Sequence, residues 1–439
     1  MKTEHDFLPK SFVCSCGRTH GSGVDTVLSG KGVIDLLPSE WERRSVKRVF
    51  LLADPNTYEA AGKQVETLLK GAGFGCEVCL LPSGNAKPEE KTVGHVLMHW
   101  NDACDGIVSV GSGVLNDTGK LLSRVTGRPY AIVAAAPSMD GFASATSSME
   151  REGLKVSLAT RCADIIIGDT DFLKTAPRRM IAAGVGDMIA KYVSLCEWRI
   201  SHIITGEYFC DAIADMVRQA LAKCVEAPEK LLAGDDDALK NVFDGLVLSG
   251  AAMNYAGCSR PASGVEHYYS HLWDMRGLCY GTPTDLHGVQ CALGTREAIR
   301  LYGMLRQITP DREKALAAVR NFDLAAWQKT LRSIAGPGAE TMIALETKEG
   351  KYDPVKHRAR LDAICDHWQT ILSVIEEELP ALSETDVLLD RLGLPKKPEE
   401  IGLGADLPLI FRATRDIRDK YILSRLCFDL GVTDEICPV

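Results

Sequence analysis

Apolar residues fall in two rhythms along this chain, and the rhythm changes once. Up to about residue 175, short apolar runs at 47–53 (KRVFLLA), 75–81, 106–110, 130–136 and 163–168 (ADIIIG) alternate with longer stretches of helical spacing, such as 56–72, 88–102 and 115–125. Runs of four to eight apolar residues between turn signals read as strands buried on both faces. Strands that alternate with helices predict a mostly parallel sheet covered on both sides. From residue 178 the spacing is helical almost throughout, with helices expected at 178–199, 206–224, 235–255, 265–275 and 286–304, and more up to 430. The expectation is an α/β domain over 1–176 and an all-helical domain over 177–439. The PKKPEE stretch at 395–400 reads as a surface connection, and no internal repeat or low-complexity tract stands out.

The segment from 105 to 144 carries the first chemical signal. Strand 106–110 runs into Gly111-Ser112-Gly113, then a helix, then strand 130–136, then the polar loop 137–144. Glycines at a strand-to-helix turn admit close backbone approach by a phosphate, and a helix N-terminus attracts anions. Ligands of open α/β sheets bind beyond the carboxyl ends of the strands. The spacing is not GxGxxG, so a purely steric turn explains these glycines as well as a nucleotide does. Asp54, at the tip of the strand RVFLLAD, suits adenosine ribose hydroxyls and would repel a 2′-phosphate, favouring NAD over NADP. It suits the N-cap of a helix starting at Pro55 equally well.

At 439 residues the chain is too long for one ordinary core. With 46% hydrophobic and 25% charged residues it has the balance of a water-soluble globular protein, and a net charge of −9 argues against nucleic acid or an anionic membrane as partner. No apolar run is long enough to insert in a bilayer, and MKTEHDFLPKSF has no secretory apolar core. The fifteen cysteines then read as reduced thiols, and the expected compartment is the cytoplasm. Cys14, Cys16 and His20 (CSCGRTH) invite a zinc reading. Cys-x-Cys is not the usual knuckle spacing and no second ligand pair follows nearby, so a tight glycine-containing turn with reduced thiols is the favoured reading.

The helical half holds sharper candidates. Asp187 sits in MIAAGVGDMIAKYVS, where a carboxylate must be paired, exposed or metal-bound. Ser263 and Glu266 have capping-box spacing, which predicts a helix start near Gly264 and puts His267 and His271 on one face. His287 follows near the start of the next helix. HYYSH lacks the glutamate of HExxH, so spacing alone does not make His267 and His271 a metal pair. One Asp and two His from three helices would suit a catalytic divalent metal, and the alternative is that each is capped, core or surface. Arg260 reads as a phosphate ligand or as a structural ion pair, and Trp198 serves an interface as readily as a core.

Taken together, VGSGVLNDTGK, APSMDGFASATSS, AAGVGDMIAKYVSLCEWRI, GCSRPASGVEHYYSH, LHGVQCALGT and the tail IGLGADLPLIFRATRDIRDKYILSRLCFDLG make the chain resemble the glycerol-1-phosphate dehydrogenases of the iron-containing alcohol dehydrogenase/dehydroquinate synthase-like superfamily, the bacterial AraM-like branch above all. The resemblance implies a Rossmann-like α/β domain followed by an all-α domain of the dehydroquinate synthase type. It implies NAD(H)-linked, reversible reduction of dihydroxyacetone phosphate to sn-glycerol 1-phosphate. The cofactor would lie against Gly113, Val114, Leu115, Asn116 and Asp117, with Ala135, Ala136, Pro137, Ser138 and Ser144 on the nicotinamide side and Asp54 at the ribose. Asp140, Asp187 and His271 would face substrate, and Asp187, His267 and His287 would hold one divalent metal, nickel or zinc, with iron used in the wider superfamily. Gly-Ser-Gly stands where many members have three glycines. A homodimer acting on a small phosphorylated substrate is implied. The alternatives are a dehydrogenase of unphosphorylated polyols and a lyase of the dehydroquinate synthase type.

Overall fold

The computed structural model describes residues 8–152 and 154–438. The chain divides into two compact units. The first takes residues up to Met188 and adds Asp215–Ser259; the second takes Ile189–Ala214 and everything from Arg260. The change of rhythm at residue 177 therefore falls inside the first unit, which recruits helical segments of its own.

The first unit is built on a six-stranded parallel sheet. Its strands are β3 (Thr26–Gly30), β4 (Arg48–Ala53), β5 (Gly75–Leu80), β6 (Gly106–Gly111), β7 (Tyr130–Ala134) and β10 (Ile165–Asp169), in the order β3-β10-β7-β6-β4-β5. Val49, Leu51, Val108, Val110, Ala131, Val133, Ile165 and Ile167 pack with Trp41 on one face and are fully buried. Burial on both faces is why these strands are continuous apolar runs rather than alternating ones. Two antiparallel hairpins accompany the sheet: β1 (Ser11–Val13) with β2 (Thr19–Gly21), and β8 (Thr146–Arg151) with β9 (Leu154–Ala159). Neither the first hairpin nor β3 is announced by the apolar pattern, whereas β9 alternates apolar and polar residues (LKVSLA). The helix expected over 56–72 is three joined pieces, a turn at Pro55–Thr57, a π-helical turn at Tyr58–Gly62 and a helix over Lys63–Gly71.

Chain order decides where this sheet opens. From β4 the chain goes outward to β5, then returns to the other side of β4 to form β6, and continues through β7 to β10. The direction of winding reverses between β4 and β6, and crevices for ligands form beyond the strand ends at such a reversal. Asp54 follows β4, and the Gly-Ser-Gly turn follows β6, leading into helix α1 (Gly113–Thr126).

Helix α2 (Arg178–Thr205) starts in the first unit, which also holds α3 (Asp236–Ala256). The second unit is helical. Its core gathers Tyr268, Tyr269, Leu272 and Trp273 of α4 (Val265–Tyr280), Leu293 and Tyr302 of α5 (His287–Leu305), and Ile410, Phe411 and Leu426 from the C-terminal region. Trp198 is wholly buried there and donates through Nε1 to the Tyr208 carbonyl at 2.5 Å, which makes it a core residue. Among the described residues no helix is long and apolar enough to cross a membrane.

Candidate active site

In the first unit the glycine turn and the loop after β7 touch. Ser112 Oγ lies 2.5 Å from Ser138 Oγ, and the Ala135 N–H donates to the Gly111 carbonyl. Ser112 is the N-cap of α1 but makes no side-chain cap, so the first-turn N–H groups of a 14-residue helix are not closed by its hydroxyl. A Cβ on Gly111 would strike Leu115 at 2.2 Å, a steric reason for glycine. A Cβ on Gly113 would meet nothing nearer than 4.0 Å. The protein's own packing does not demand glycine at 113, whereas backbone approach by a ligand would. This turn at the winding reversal fits a dinucleotide pyrophosphate.

The other cofactor candidates divide by role. Leu115 is core, and Asn116 is buried, donating to the Gly141 carbonyl at 3.0 Å. Asp117 pairs with Lys120 at 3.0 Å and accepts from the Ser148 N–H. Val114, Ala135, Ala136 and Pro137 line the same turn and loop, and Ser144 Oγ bonds within its own loop to Thr146. Asp54 is an N-cap: Oδ1 accepts from the Asn56 and Thr57 N–H groups at 2.8 and 2.9 Å, and only Oδ2 remains for a ribose. Sequence reading passed over Lys120. Its ammonium is wholly buried and donates to the carbonyls of Gly141 and Thr146, at 3.1 and 2.6 Å, holding the loop that carries Asp140. A lysine on the apolar face of an amphipathic helix was the available signal.

Further along that loop, the Asp140 N–H donates to Asp187 Oδ2 at 2.9 Å, and Ser249 Oγ donates to Asp140 Oδ2 at 2.8 Å. All three side chains are buried. Two glycines make room for the loop: a Cβ on Gly184 would lie 1.9 Å from the Pro137 carbonyl oxygen, and one on Gly250 would lie 2.7 Å from that of Asp140. Ser249 was also passed over, although a hydroxyl in the apolar run LVLSGAAM marks it.

In the second unit, the His267 and His287 rings stand 5.1 Å apart, and His271 is 6.5 Å from His287. The ligand atoms of His267, His287 and Cys291 lie within 4.8 Å of one another. His267 Nδ1–H donates to Glu266 Oε1 at 2.8 Å, so Nε2 is the nitrogen that could ligate a metal. In the corresponding tautomer of His287, Nδ1–H donates to Ser270 Oγ at 3.1 Å, while Nε2 lies 3.5 Å from Cys291 Sγ. Two oriented imidazoles suit a divalent cation of the zinc, nickel and iron kind. Burial pushes the Cys291 thiol up, but the adjacent His267 and His287 rings outweigh it and hold it below the usual thiol range. Cys291 is one helical turn past His287, a spacing the sequence displays.

The structure corrects one reading here and decides between two others. The helix does start beside Gly264, which is its N-cap, but Ser263 forms no capping box: Glu266 Oε1 accepts from the Gly264 N–H at 2.6 Å and is shared with His267. Glu197, buried alongside, accepts from the Val265 N–H at 2.9 Å through Oε2 and from the Leu423 N–H at 2.8 Å through Oε1. Arg260 is a structural ion pair. It is 1% exposed, and its guanidinium donates to both Glu207 oxygens, the Tyr421 carbonyl and Ser201 Oγ at 2.5–3.0 Å.

The fold is that of the iron-containing alcohol dehydrogenases. A sequence model of that family matches residues 28–177. Solved structures with the same fold include a probable glycerol dehydrogenase from Sinorhizobium meliloti (TM-score 0.58, 17% identity, covering 94% of this chain and 95% of that one). A 1,3-propanediol oxidoreductase is similar (TM-score 0.60, 15% identity, 94% and 97% covered). Sequence relatives narrow the class. The glycerol-1-phosphate dehydrogenase [NAD(P)+] of Halalkalibacterium halodurans is 35% identical over 66% of this chain and 73% of its own length. That of Pyrococcus furiosus is 34% identical over 68% and 84%. The chain belongs to the glycerol-1-phosphate dehydrogenase family, and is an NAD(P)-linked oxidoreductase.

Proposed function

We propose that this protein reduces dihydroxyacetone phosphate to sn-glycerol 1-phosphate with NADH, reversibly, at a centre where Asp187, His267 and His287 hold one divalent cation. The reading is carried by one observation within the first unit. The loop after β7 meets the cofactor turn at Ser138 and, two residues on, meets Asp187 through the Asp140 N–H. Residues that would bracket a nicotinamide and residues that would bracket a ketone thus lie on one short stretch of chain.

Held by Asp187, His267 and His287, a divalent cation would supply Lewis acidity toward the ketone oxygen, and a nicotinamide seated at the glycine turn would supply the hydride. The chain's own residues do the rest. Glu266 and Ser270 keep the two imidazoles in ligating orientation. Asp140, steadied by Ser249, accepts a substrate hydroxyl proton in a hydrogen bond and fixes which face of the ketone meets the cofactor. His271 donates a proton to the C2 oxygen as charge develops there. The turn at Gly113–Asp117 seats the pyrophosphate, and Asp54 Oδ2 meets the ribose and disfavours a 2′-phosphate. The fifteen cysteines, all present as thiols, support a reducing compartment, the cytoplasm.

The test is His267→Ala, assayed for bound metal and for NADH oxidation with dihydroxyacetone phosphate. The expected result is loss of one metal equivalent per chain together with turnover. Full activity with undiminished metal would overturn the assignment. A wild-type enzyme faster on dihydroxyacetone than on its phosphate would give the polyol reading precedence.

A further inference from the structure

The N-terminal hairpin puts together side chains that the reaction does not use. Strands β1 and β2 are joined by a turn in which the Gly17 N–H donates to the Cys14 carbonyl and the Cys14 N–H to the Arg18 carbonyl, both at 3.0 Å. Gly17 takes φ +84°, a left-handed conformation that suits glycine. This turn overrides the linear Cys-x-Cys spacing. The ligand atoms of Cys14, Cys16 and His20 all lie within 4.8 Å of one another, and Cys16 Sγ is 3.3 Å from His20 Nε2. A sulfur and a nitrogen on one tetrahedral zinc ion stand roughly 3.6 Å apart, given Zn–S and Zn–N bonds of about 2.3 and 2.1 Å.

The imidazole is also set for ligation. His20 Nδ1 is 2.7 Å from the carbonyl oxygen of Tyr255, in the last turn of α3. A carbonyl only accepts, so Nδ1 carries the proton and Nε2, on the side of the thiols, presents the lone pair. A carbonyl that orients a ligating histidine in this way is a recurrent feature of zinc sites. His20 is 2% exposed and Cys14 8%, while Cys16 stands at the surface, giving an ion a route in. The hairpin is anchored where a staple would act: the Phe12 ring packs edge-on against Tyr255 at 5.3 Å, and Asn254 Nδ2 donates to the Ser22 carbonyl at 2.6 Å.

We propose that Cys14, Cys16 and His20 form a second metal site, a structural one for a soft divalent cation such as zinc, which pins the N-terminal hairpin to the end of α3. Two thiolates and one imidazole are the donors such an ion prefers over magnesium or calcium. Binding releases the Cys14 and Cys16 thiol protons to solvent and leaves one tetrahedral position for a fourth donor. The inference does not depend on the proposed reaction.

The experiment is a metal count on the purified full-length enzyme, wild type against Cys16→Ser and His267→Ala, by elemental analysis. It is paired with release of zinc to a chromogenic chelator on titration with a mercurial thiol reagent. Two equivalents per chain are expected in wild type. Cys16→Ser should lose one and keep ketone reduction within twofold, and His267→Ala should lose the other. Mercurial should liberate one zinc from wild type and none from Cys16→Ser. A Cys16→Ser protein with the wild-type metal count, or zinc release unchanged by that substitution, would overturn the hairpin site. If His267→Ala alone keeps its metal, the catalytic assignment fails while the hairpin site stands. Because Cys16 is exposed and its replacement by serine is small, failure to fold does not confound the count.

Discussion

Replacing Arg260 with alanine separates its two sequence readings with one variant. The side chain is 1% exposed and donates to Glu207 Oε1 at 2.8 Å, Glu207 Oε2 at 2.5 Å, the Tyr421 carbonyl at 2.8 Å and Ser201 Oγ at 3.0 Å. Breaking a buried ion pair costs about 3–5 kcal/mol when the remaining charge is stranded. Here Glu207 keeps 32% side-chain exposure and still accepts from Ser201 Oγ at 2.6 Å, so water and a hydroxyl recover part of that. The Tyr421 carbonyl, in a buried residue, loses its guanidinium partner, worth about 1–3 kcal/mol. A net loss of about 3 kcal/mol follows, placed below the top of the ion-pair range because Glu207 is not stranded. Urea unfolding of wild type and variant would read it as a lower midpoint, while the KM values for dihydroxyacetone phosphate and NADH should each stay within about twofold, since the guanidinium is buried and four of its five N–H groups are engaged by Glu207, Tyr421 and Ser201. Unchanged stability with a KM for dihydroxyacetone phosphate raised tenfold or more would refute the structural assignment and restore the phosphate reading.

Two further predictions concern the carboxylates around α4. Glu266→Gln keeps an oxygen for His267 Nδ1–H and the Gly264 N–H but removes the charge, so chelator competition should show metal affinity lowered roughly tenfold in a folded protein; wild-type affinity would exclude the orienting role. Burial first, then the charge of Glu266, raises the Glu197 carboxyl from 4.5 to about 8. A raised carboxyl in the folded state means that its stabilising contribution is whole below 4.5 and is lost as the pH climbs through about 8, at up to about 1.4 kcal/mol per pH unit. Glu197→Gln should flatten the fall of unfolding free energy across that window, and parallel curves for variant and wild type would rule the shift out.

Much of the fold was legible because its signals are local. Apolar runs at 47–53, 75–81, 106–110, 130–136 and 163–168 match β4, β5, β6, β7 and β10 to within one or two residues at most ends, since strands buried on both faces cannot hide their composition. Helix starts at Gly113, Val265 and His287 stood close to where turn residues and spacing put them. Strand β3 stayed hidden: TVLSG is short and half polar, and it is a strand because it pairs with Ile165–Asp169, far along the chain. Of the hairpin strands, β1 and β2 are only three residues each and β8 is mostly polar, while β9 (LKVSLA) does alternate apolar and polar residues, a signal the sequence carried and the reading passed over.

Residue types and periodicity alone determined the sheet of alternating strands and helices, the helical second half, and the short roster of side chains able to do chemistry. Which polar group each of them meets was decided only in three dimensions. Spacing put His267 and His271 on one helix face, but only folding brings the His267 ring to 5.1 Å from that of His287, which comes from another helix. Glu266 left its expected capping box to steady an imidazole, Arg260 went to Glu207, and Cys14, Cys16 and His20 converged because a glycine turn folded them together. The physical reason is one of range. Apolar burial rewards a pattern repeated along the chain, whereas a buried hydrogen bond or ion pair depends on a partner about 3 Å away, wherever in the sequence that partner lies.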